Sequence, residues 1–251
     1  MKPIAIQLFT VREYAKKDFK GTLKRIAEIG YVGVEPAGLH GLSPKDFKSM
    51  VDEYGLKVPS SHVPFPTEAN IKEIVETAHI LGQQYVGSGF EKELFEDIDS
   101  IKSLAGKVNK AIELLKKENL KLALHNHHWE FIKLGGRFAY DYLLDLTPDV
   151  ELELDTYGAS NFQANNPAEI INKHKKRIPL LHLKDGPPIF KVPMVAVGKG
   201  DMDFKKVIAA TDPNVLQWLI VELGSCATDM FVAVEDSYEY LTKHGLAKGN
   251  H

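Results

Sequence analysis

Eight short apolar runs recur along the chain, and longer segments with mixed hydrophobic and polar positions separate them. Runs of this length and composition are typical of buried β-strands. The predicted strands are residues 4–9, 31–36, 56–63, 84–89, 120–126, 150–155, 178–185 and 216–223. The alternation continues from end to end without a linker or a low-complexity tract, and it therefore predicts a single domain over residues 1–251.

The segments between these strands carry helical spacing and helix-end signals. In residues 18–30 the apolar positions recur every three or four residues, and Gly30 is the expected stop. The next such segment places Ser43 as N-cap, Pro44 at the first helical position and Gly55 as terminator. Helices therefore alternate with the strands.

Strands separated by helices pair in parallel through crossover connections, because a parallel partner is reached only by crossing the sheet. Eight such units in 251 residues predict a (β/α)8 TIM barrel. The alternative is a doubly wound open sheet, which normally has a glycine-rich phosphate turn after an early strand, and the sequence has no such motif. Residues 197–204, VGKGDMDF, are interpreted as a flexible loop that leads into the seventh helix.

Composition and charge narrow the class of protein. The chain is 44% hydrophobic and 26% charged, as in ordinary soluble globular proteins, and its formal net charge of −3 gives no basic surface for nucleic acid. The single cysteine, Cys226, excludes an internal disulfide and a cysteine-based zinc site. No run approaches the ~18 apolar residues of a membrane span, and no signal-peptide core is visible. We therefore expect a cytoplasmic protein without a membrane partner, although removal of an export signal would leave the same pattern.

The fifth predicted strand ends in an unusual polar cluster, KLALHNHHWEF at residues 121–131. Strand side chains alternate faces with a period of two, so His125 and His127 point to one side and Asn126 to the other. Two imidazoles on one face indicate a site, while the alternative is a solvated strand end.

In a TIM barrel the C-terminal ends of all strands meet at one mouth, where enzymes of this architecture place their chemistry. The polar residues at these ends are Gln7, Glu35, His62, Ser88, His125, His127, Asp155, His182, Lys184 and Glu222. The imidazoles and carboxylates of strands five to eight are ligands for a divalent cation such as Mn²⁺, Co²⁺, Fe²⁺ or Zn²⁺. Each residue alone has an ordinary structural explanation. One bound ion, however, would relieve the cost of burying all of these groups together.

Several motifs resemble the sugar phosphate isomerase/epimerase family, the xylose-isomerase-like barrels, across nearly the whole chain. They are LFTVRE, VPSSH, HNHHWEF, ELELDTYGAS, LLHLKDG and VGKGDMDF. Relatives in this family include ketose 3-epimerases, inosose dehydratases and enzymes acting on 3-keto-glycosides. The resemblance implies one divalent metal ion, Mn²⁺ in first place with Co²⁺, Mg²⁺, Zn²⁺ or Fe²⁺ as alternatives. Carried over position by position, its ligands are His125, Asp155, His182 and Glu222.

The chain departs from the family at strand five. Members that epimerise free ketoses have glutamate where this chain has His125, and two glutamates then act as opposing bases. A symmetrical two-carboxylate mechanism is therefore not expected here. Glu130, five residues further on, is the alternative strand-five ligand.

The chemistry expected of such a site is proton abstraction next to the carbonyl of a sugar substrate, since a cation stabilises the enediolate. Glu222 is the expected general base, and the acid that returns the proton is expected among His127, Glu130 and Glu35.

Four residues are predicted to contact the substrate. Lys184 would hold a hydroxyl or the developing oxyanion, and Trp129 would offer an apolar wall to a sugar ring. Gln7 and His62 complete the expected substrate-binding set.

The outcome of the reaction depends on where the proton returns. Return to the opposite face gives epimerisation, and return to the neighbouring carbon gives isomerisation. Loss of a β-substituent gives dehydration or elimination. A sugar isomerase or epimerase is the main hypothesis, and a keto-sugar lyase or dehydratase is the alternative.

Two further hypotheses are weaker. An endonuclease-IV-type nuclease needs a histidine three residues after the strand-six aspartate, where this chain has Gly158. A non-catalytic sugar-binding barrel would bind ligand without turnover. The hypothesis of a homo-oligomer stays open.

Overall fold

Within residues 1–189 and 191–251, which the computed structural model describes, eight strands pair in parallel around a barrel. In chain order the strands are β1 (Lys2–Gln7), β2 (Gly33–Glu35), β3 (Ser60–His62), β4 (Tyr85–Ser88), β5 (Lys121–His125), β6 (Lys133–Leu134), β7 (Arg137–Phe138), β8 (Glu151–Asp155), β9 (Leu180–Leu183), β10 (Trp218–Val221) and β11 (Ala247–Lys248). The barrel consists of β1 to β5 and β8 to β10, which confirms the predicted TIM barrel. A separate hairpin joins β6 to β7, and β11 pairs with the start of β1.

The barrel closes between β2 and β3 through isolated bridges. Gly33 bridges Lys57, and Ala37 bridges His62. The backbone N–H of His62 donates to the carbonyl of Pro36 at 2.8 Å. This closure brings β3 and β8 to face each other across the interior.

Helices surround the barrel and follow the predicted pattern. They are α1 (Arg12–Ala15), α2 (Phe19–Ile29), α3 (Pro44–Glu53), α4 (Ile71–Leu81), α5 (Ile98–Lys116), α6 (Ala139–Leu146), α7 (Thr156–Ser160), α8 (Pro167–His174), α9 (Phe204–Ala209) and α10 (Met230–Lys243). Helix α2 ends at Gly30, whose φ of 115° favours glycine. The Ser43 side chain accepts a hydrogen bond from the backbone of Asp46 at the start of α3. None of the described helices combines the length and apolar character required to cross a membrane.

The barrel interior changes from apolar to polar toward the mouth. An apolar layer of Ala5, Tyr85, Ala123, Leu180 and Ile220 packs at the lower end. Because inward-facing side chains recur every second residue, the next inward positions on four of these strands are polar. They are Gln7, His125, His182 and Glu222. The alternation therefore places a layer of polar side chains, three of them titratable, directly above the apolar one.

Candidate active site

Three residues form what we call the floor cluster, Glu35, His62 and Glu153. The carboxylate of Glu153 contacts His62 Nε2, and its Oε1 lies 3.5 Å from His182 Nε2. Its Oε2 lies 3.2 Å from His125 Nδ1. The Glu153 side chain is fully buried. Glu153 is thus a buried carboxylate surrounded by three imidazoles, that of His62 in the floor cluster and those of His125 and His182 beside it.

Glu35 provides a second buried carboxylate in the floor cluster. Gln7 Nε2 donates to its Oε2 at 3.0 Å, and the Ser60 hydroxyl donates to its Oε1. The same Oε2 lies 2.8 Å from His182 Nε2 and 3.7 Å from His62 Nε2. Gln7, which was predicted to contact substrate, is itself fully buried and holds Glu35.

A second group, the mouth cluster, consists of Asp155, Lys184 and Glu222. The Lys184 ammonium lies 3.0 Å from Asp155 Oδ2 and 2.9 Å from Glu222 Oε2. All three side chains are largely buried. The lysine therefore occupies the position between the two carboxylates that were predicted to bind a metal ion.

His125 and His182, the bridging histidines, connect the two clusters through opposite ring nitrogens. His125 directs Nδ1 to Glu153, while its Nε2 lies 4.0 Å from both Asp155 Oδ2 and Glu222 Oε2. His182 directs Nε2 to the floor cluster, and its Nδ1 lies 2.7 Å from Glu222 Oε2. Each of these two histidines therefore offers one ring nitrogen to the floor cluster and the other to the mouth cluster.

The donor set of the floor fits a divalent metal ion. One ligand atom from each of His62, His125, Glu153 and His182 lies within 4.8 Å of the other three. Among the described residues, Glu153 Oε1 and His182 Nε2 are buried and make no hydrogen bond of acceptable geometry. Imidazole and carboxylate are ligands of Zn²⁺ and Mn²⁺. A metal ion at the centre of this donor set would give both atoms a partner.

Burial and neighbouring charges shift the pKa values of the floor cluster. Burial and the charge of Glu153 raise the pKa of Glu35. Burial also opposes the charge on Glu153, but His62 and His182 outweigh it and hold the pKa of Glu153 well below its usual value. For His62, burial lowers the pKa, yet Glu153 and Glu35 raise it to about 9. The floor cluster therefore attracts positive charge strongly.

The pKa values of the mouth cluster and of His125 are shifted in other directions. Burial raises the pKa of Glu222, but Lys184 and His182 outweigh it, so the pKa lies well below its usual value. Burial opposes the charge of Lys184, whereas Asp155 and Glu222 raise its pKa. Burial lowers the pKa of His125 to about 4, so this imidazole is neutral near pH 7 and has a lone pair for a metal ion. Glu222 is ionised at neutral pH.

A cavity of about 260 Å³ opens above the mouth cluster. Its lining includes Asp155, Lys184, His127, Trp129 and Phe162. Trp129 stacks on His127 with ring centroids 4.0 Å apart. Among the described residues, none of the floor cluster lines this cavity. The cavity therefore joins the mouth cluster to an aromatic wall.

Glu130 faces His127 rather than His125. Its Oε2 accepts a hydrogen bond from the His127 backbone at 2.9 Å, and its Oε1 lies 3.4 Å from His127 Nδ1. Burial raises the pKa of Glu130. His125 is thus the strand-five side chain that reaches both clusters.

Two residues in these surroundings were missed by the sequence reasoning. Glu153 lies two residues before Asp155, so the period of two already placed it on the same face. Asp185 accepts hydrogen bonds from the backbone N–H groups of Gly198 at 2.9 Å and Gly200 at 3.0 Å. It thereby attaches the loop of residues 197–203 to the end of β9.

Gly158 stands where an endonuclease-IV-type enzyme has a metal-binding histidine. A Cβ at this position would lie 2.8 Å from the backbone carbon of His127. A histidine at position 158 would therefore require the backbone after β5 to move.

Comparison with known proteins agrees with the fold and the motifs. The chain belongs to the xylose isomerase-like TIM barrel family, whose model matches residues 23–243. This confirms the family that the sequence motifs indicated.

Two similar proteins are inosose dehydratases. The one from Geobacillus kaustophilus is 25% identical over 189 residues, which cover 65% of this chain and 60% of that protein. The one from Clostridium beijerinckii is 24% identical in an alignment of 267 positions, gaps included, that covers 93% of this chain and 85% of that protein. The chain thus spans less than two thirds of the Geobacillus protein.

Among solved structures, a sugar phosphate isomerase/epimerase from Parabacteroides distasonis is similar along almost its whole length. The TM-score is 0.80 and the identity 25%, and the match covers 98% of this chain and 96% of that one. The barrel and its strand order therefore recur in proteins named for sugar chemistry.

Proposed function

We propose that the protein is a divalent-metal-dependent sugar isomerase or epimerase that acts on a keto-sugar or a sugar derivative. The reaction begins with removal of a proton next to a carbonyl. The observation that carries the proposal is the position of the ionised Glu222, which adjoins the cavity through Lys184 and contacts a bridging histidine. Family membership and the similarity to sugar-modifying enzymes support it.

In this proposal Glu222 removes the proton, because its neighbours keep it ionised and its carboxylate contacts Lys184, which lines the cavity. A divalent ion, when bound, would supply positive charge beneath the mouth cluster, and this charge would favour the negative charge that develops on the substrate. Lys184 adds a second positive charge, directed at a substrate hydroxyl or the developing oxyanion. Asp155 orients Lys184 from the other side.

We assign return of the proton to His127. Of the three acids predicted from the sequence, His127 lines the cavity. Glu130 contacts the His127 ring and backbone, so it is suited to hold that ring in place. Glu35 lies within the floor cluster and is fully buried, so its proposed role is electrostatic.

Trp129 is the proposed platform for the sugar ring. Its indole N–H donates to the carbonyl of Phe90 at 3.1 Å, which fixes the ring against His127. The apolar face of a sugar packs well on such a ring. The cavity of about 260 Å³ is suited to a small sugar derivative.

The alternative function is a keto-sugar lyase or dehydratase, and the inosose dehydratase relatives favour it. It begins with the same proton abstraction. A hydroxyl or alkoxy group then leaves the β-carbon, takes up a proton from the acid of the site and departs as water or an alcohol, in place of reprotonation at carbon. Histidine instead of glutamate at strand five leaves Glu222, one residue away from the cavity through Lys184, as the ionised base, which suits a one-base elimination.

The test is hydrogen exchange in deuterated water with ketoses, inososes and 3-keto-glycosides and the Mn²⁺-loaded protein. We expect deuterium at the carbon next to the carbonyl of the true substrate. NMR spectra of the product distinguish an epimer or isomer from a dehydrated or eliminated product. No exchange with any of these substrate classes would contradict the proposal.

A further inference from the structure

We infer that the metal ion binds one layer below the mouth, held by His62, His125, Glu153 and His182. The inference adds a ligand set to the proposed function. It rests on that function only for the role of the ion in catalysis and not for the place where the ion binds. It places the ion away from the carboxylates of Asp155 and Glu222, which the family resemblance had indicated as ligands. The ligand set instead combines three imidazoles with one carboxylate.

The first argument is preorganisation. Tetrahedral ligands about 2.1 Å from a Zn²⁺ ion lie roughly 3.4 Å from one another. Glu153 Oε2 lies 3.2 Å from His125 Nδ1 and contacts His62 Nε2, and the other oxygen, Oε1, lies 3.5 Å from His182 Nε2. All four ligand atoms lie within 4.8 Å of one another. Small side-chain movements are therefore enough to complete the site.

The second argument concerns atoms without partners. Glu153 Oε1 and His182 Nε2 are fully buried and make no hydrogen bond of acceptable geometry in the described part of the chain, although His182 Nε2 lies 2.8 Å from Glu35 Oε2. Native proteins rarely leave buried polar atoms unsatisfied. Both atoms point into the same set, and one ion between them would use both.

The third argument is the balance of charge. In the described residues, the ionic contacts of Glu35 and Glu153 are with imidazoles alone. Asp155 and Glu222 already share the ammonium group of Lys184. A dication in the floor would replace the protons that these imidazoles carry opposite two buried carboxylates, whereas one in the mouth would face a buried lysine. The electrostatics therefore favour the floor.

An entry path for the ion exists beside His62. The side chain of His62 is 24% exposed, in contrast to the other three ligands. It lines a cavity of about 200 Å³ together with Pro36, Gly38 and Leu39. The ion need not pass through the substrate cavity.

The decisive measurement is X-ray absorption spectroscopy of the wild-type full chain loaded with one equivalent of Zn²⁺. The number of imidazole ligands distinguishes the two sites. Both sites use the two bridging histidines, and the floor adds His62, so the floor supplies three imidazoles and the mouth supplies two. We expect three. A spectrum with two imidazoles, or a wild-type protein that binds no Zn²⁺ or Mn²⁺, would overturn the inference.

Matched variants give a second measurement that does not depend on activity. His62→Gln and Glu153→Gln should weaken Zn²⁺ binding, measured by competition with a chelating dye, by about 10²-fold or more. Asp155→Asn and Glu222→Gln should weaken it by only about tenfold, the lower end of what outer partners of ligating histidines contribute, since these residues reach the ion only through the bridging histidines. The reverse order would place the ion in the mouth.

This inference and the proposed function fail in different ways. Zn²⁺ bound by three imidazoles in a protein that exchanges no sugar hydrogen would support the floor site and contradict the proposed function. Exchange of sugar hydrogen by a protein whose ion is bound by two imidazoles would support the proposed function and contradict the floor site.

Discussion

The floor cluster and the mouth cluster contain similar side chains and share two histidines, yet their surroundings differ. In the floor, Glu35 and Glu153 face imidazoles, and in the mouth, Asp155 and Glu222 face an ammonium group. Only the mouth adjoins the aromatic-lined cavity. On our proposals, the one lysine is what separates a layer that holds an ion from a layer that moves protons.

The largest effect is expected from removing the proposed base. Glu222→Gln should lower kcat about 10³-fold, because general-base catalysis contributes about that much. The bound metal should change little. Kinetics on the substrate found by hydrogen exchange would measure this, with the exposed Glu239→Gln as the matched control. A variant that retains full turnover would show that Glu222 is not the base.

The next largest effect is expected from Lys184→Met. Its removal leaves two buried carboxylates without their shared cation, which should lower the free energy of unfolding by about 3 kcal/mol. Urea denaturation in the presence of a chelator measures this quantity. The control is Lys176→Met, since Lys176 is paired with Asp212 at 2.6 Å but is 76% exposed, so its loss should cost less than about 1 kcal/mol.

The same Lys184→Met variant also tests whether the lysine decides where a metal ion binds. If the ammonium group keeps cations out of the mouth, the variant should bind more Zn²⁺ per chain than the wild type. An unchanged metal content would mean that the charge of Lys184 does not decide where the ion binds.

Binding of metal to the folded chain should stabilise it. At a free Zn²⁺ concentration of 100 times Kd, linkage predicts a gain of about 2.7 kcal/mol in the free energy of unfolding. The gain should disappear in Glu153→Gln and persist in Asp155→Asn. Glu151→Gln, on the same strand and paired with Lys121 at 2.8 Å, is the matched control. Thermal unfolding with and without Zn²⁺ measures the difference, and equal shifts in Glu153→Gln and Glu151→Gln would contradict it.

The smallest effect is expected at the rim of the cavity. Trp129→Ala should raise KM up to about tenfold, because aromatic packing contributes about 1 kcal/mol, and it should leave Zn²⁺ affinity unchanged. Trp218→Phe, at the apolar lower layer, should leave KM unchanged. A loss of metal in Trp129→Ala would show that cavity and floor are not independent.

Most of the fold could be predicted from the sequence because its signals are local. The eight barrel strands coincide with the eight apolar runs, and the predicted helix ends at Gly30 and Ser43 are present. The rim residues were also visible, since the residue that follows an apolar run must lie at a strand end. These features depend on neighbouring residues in the chain and need no knowledge of distant contacts.

The partners within the site were harder to predict. His62 and Glu153 are 91 residues apart on strands that are not neighbours, and they meet only because the sheet closes. Glu153 was overlooked because it lies one inward position below the strand end. Its neighbour on that face, Asp155, lies opposite His182 in the register. Strand spacing alone does not reveal such contacts.

The sequence by itself determined which residues are strand, which are helix, and which side chains face inward, because periodicity and capping act over a few residues. Only the tertiary structure decided that Lys184 lies between Asp155 and Glu222, and that Glu153 faces His62 across the barrel. The physical reason is that closure and register set the height of each strand relative to the others. Those heights decide which charges meet, and no segment of the chain carries that information alone.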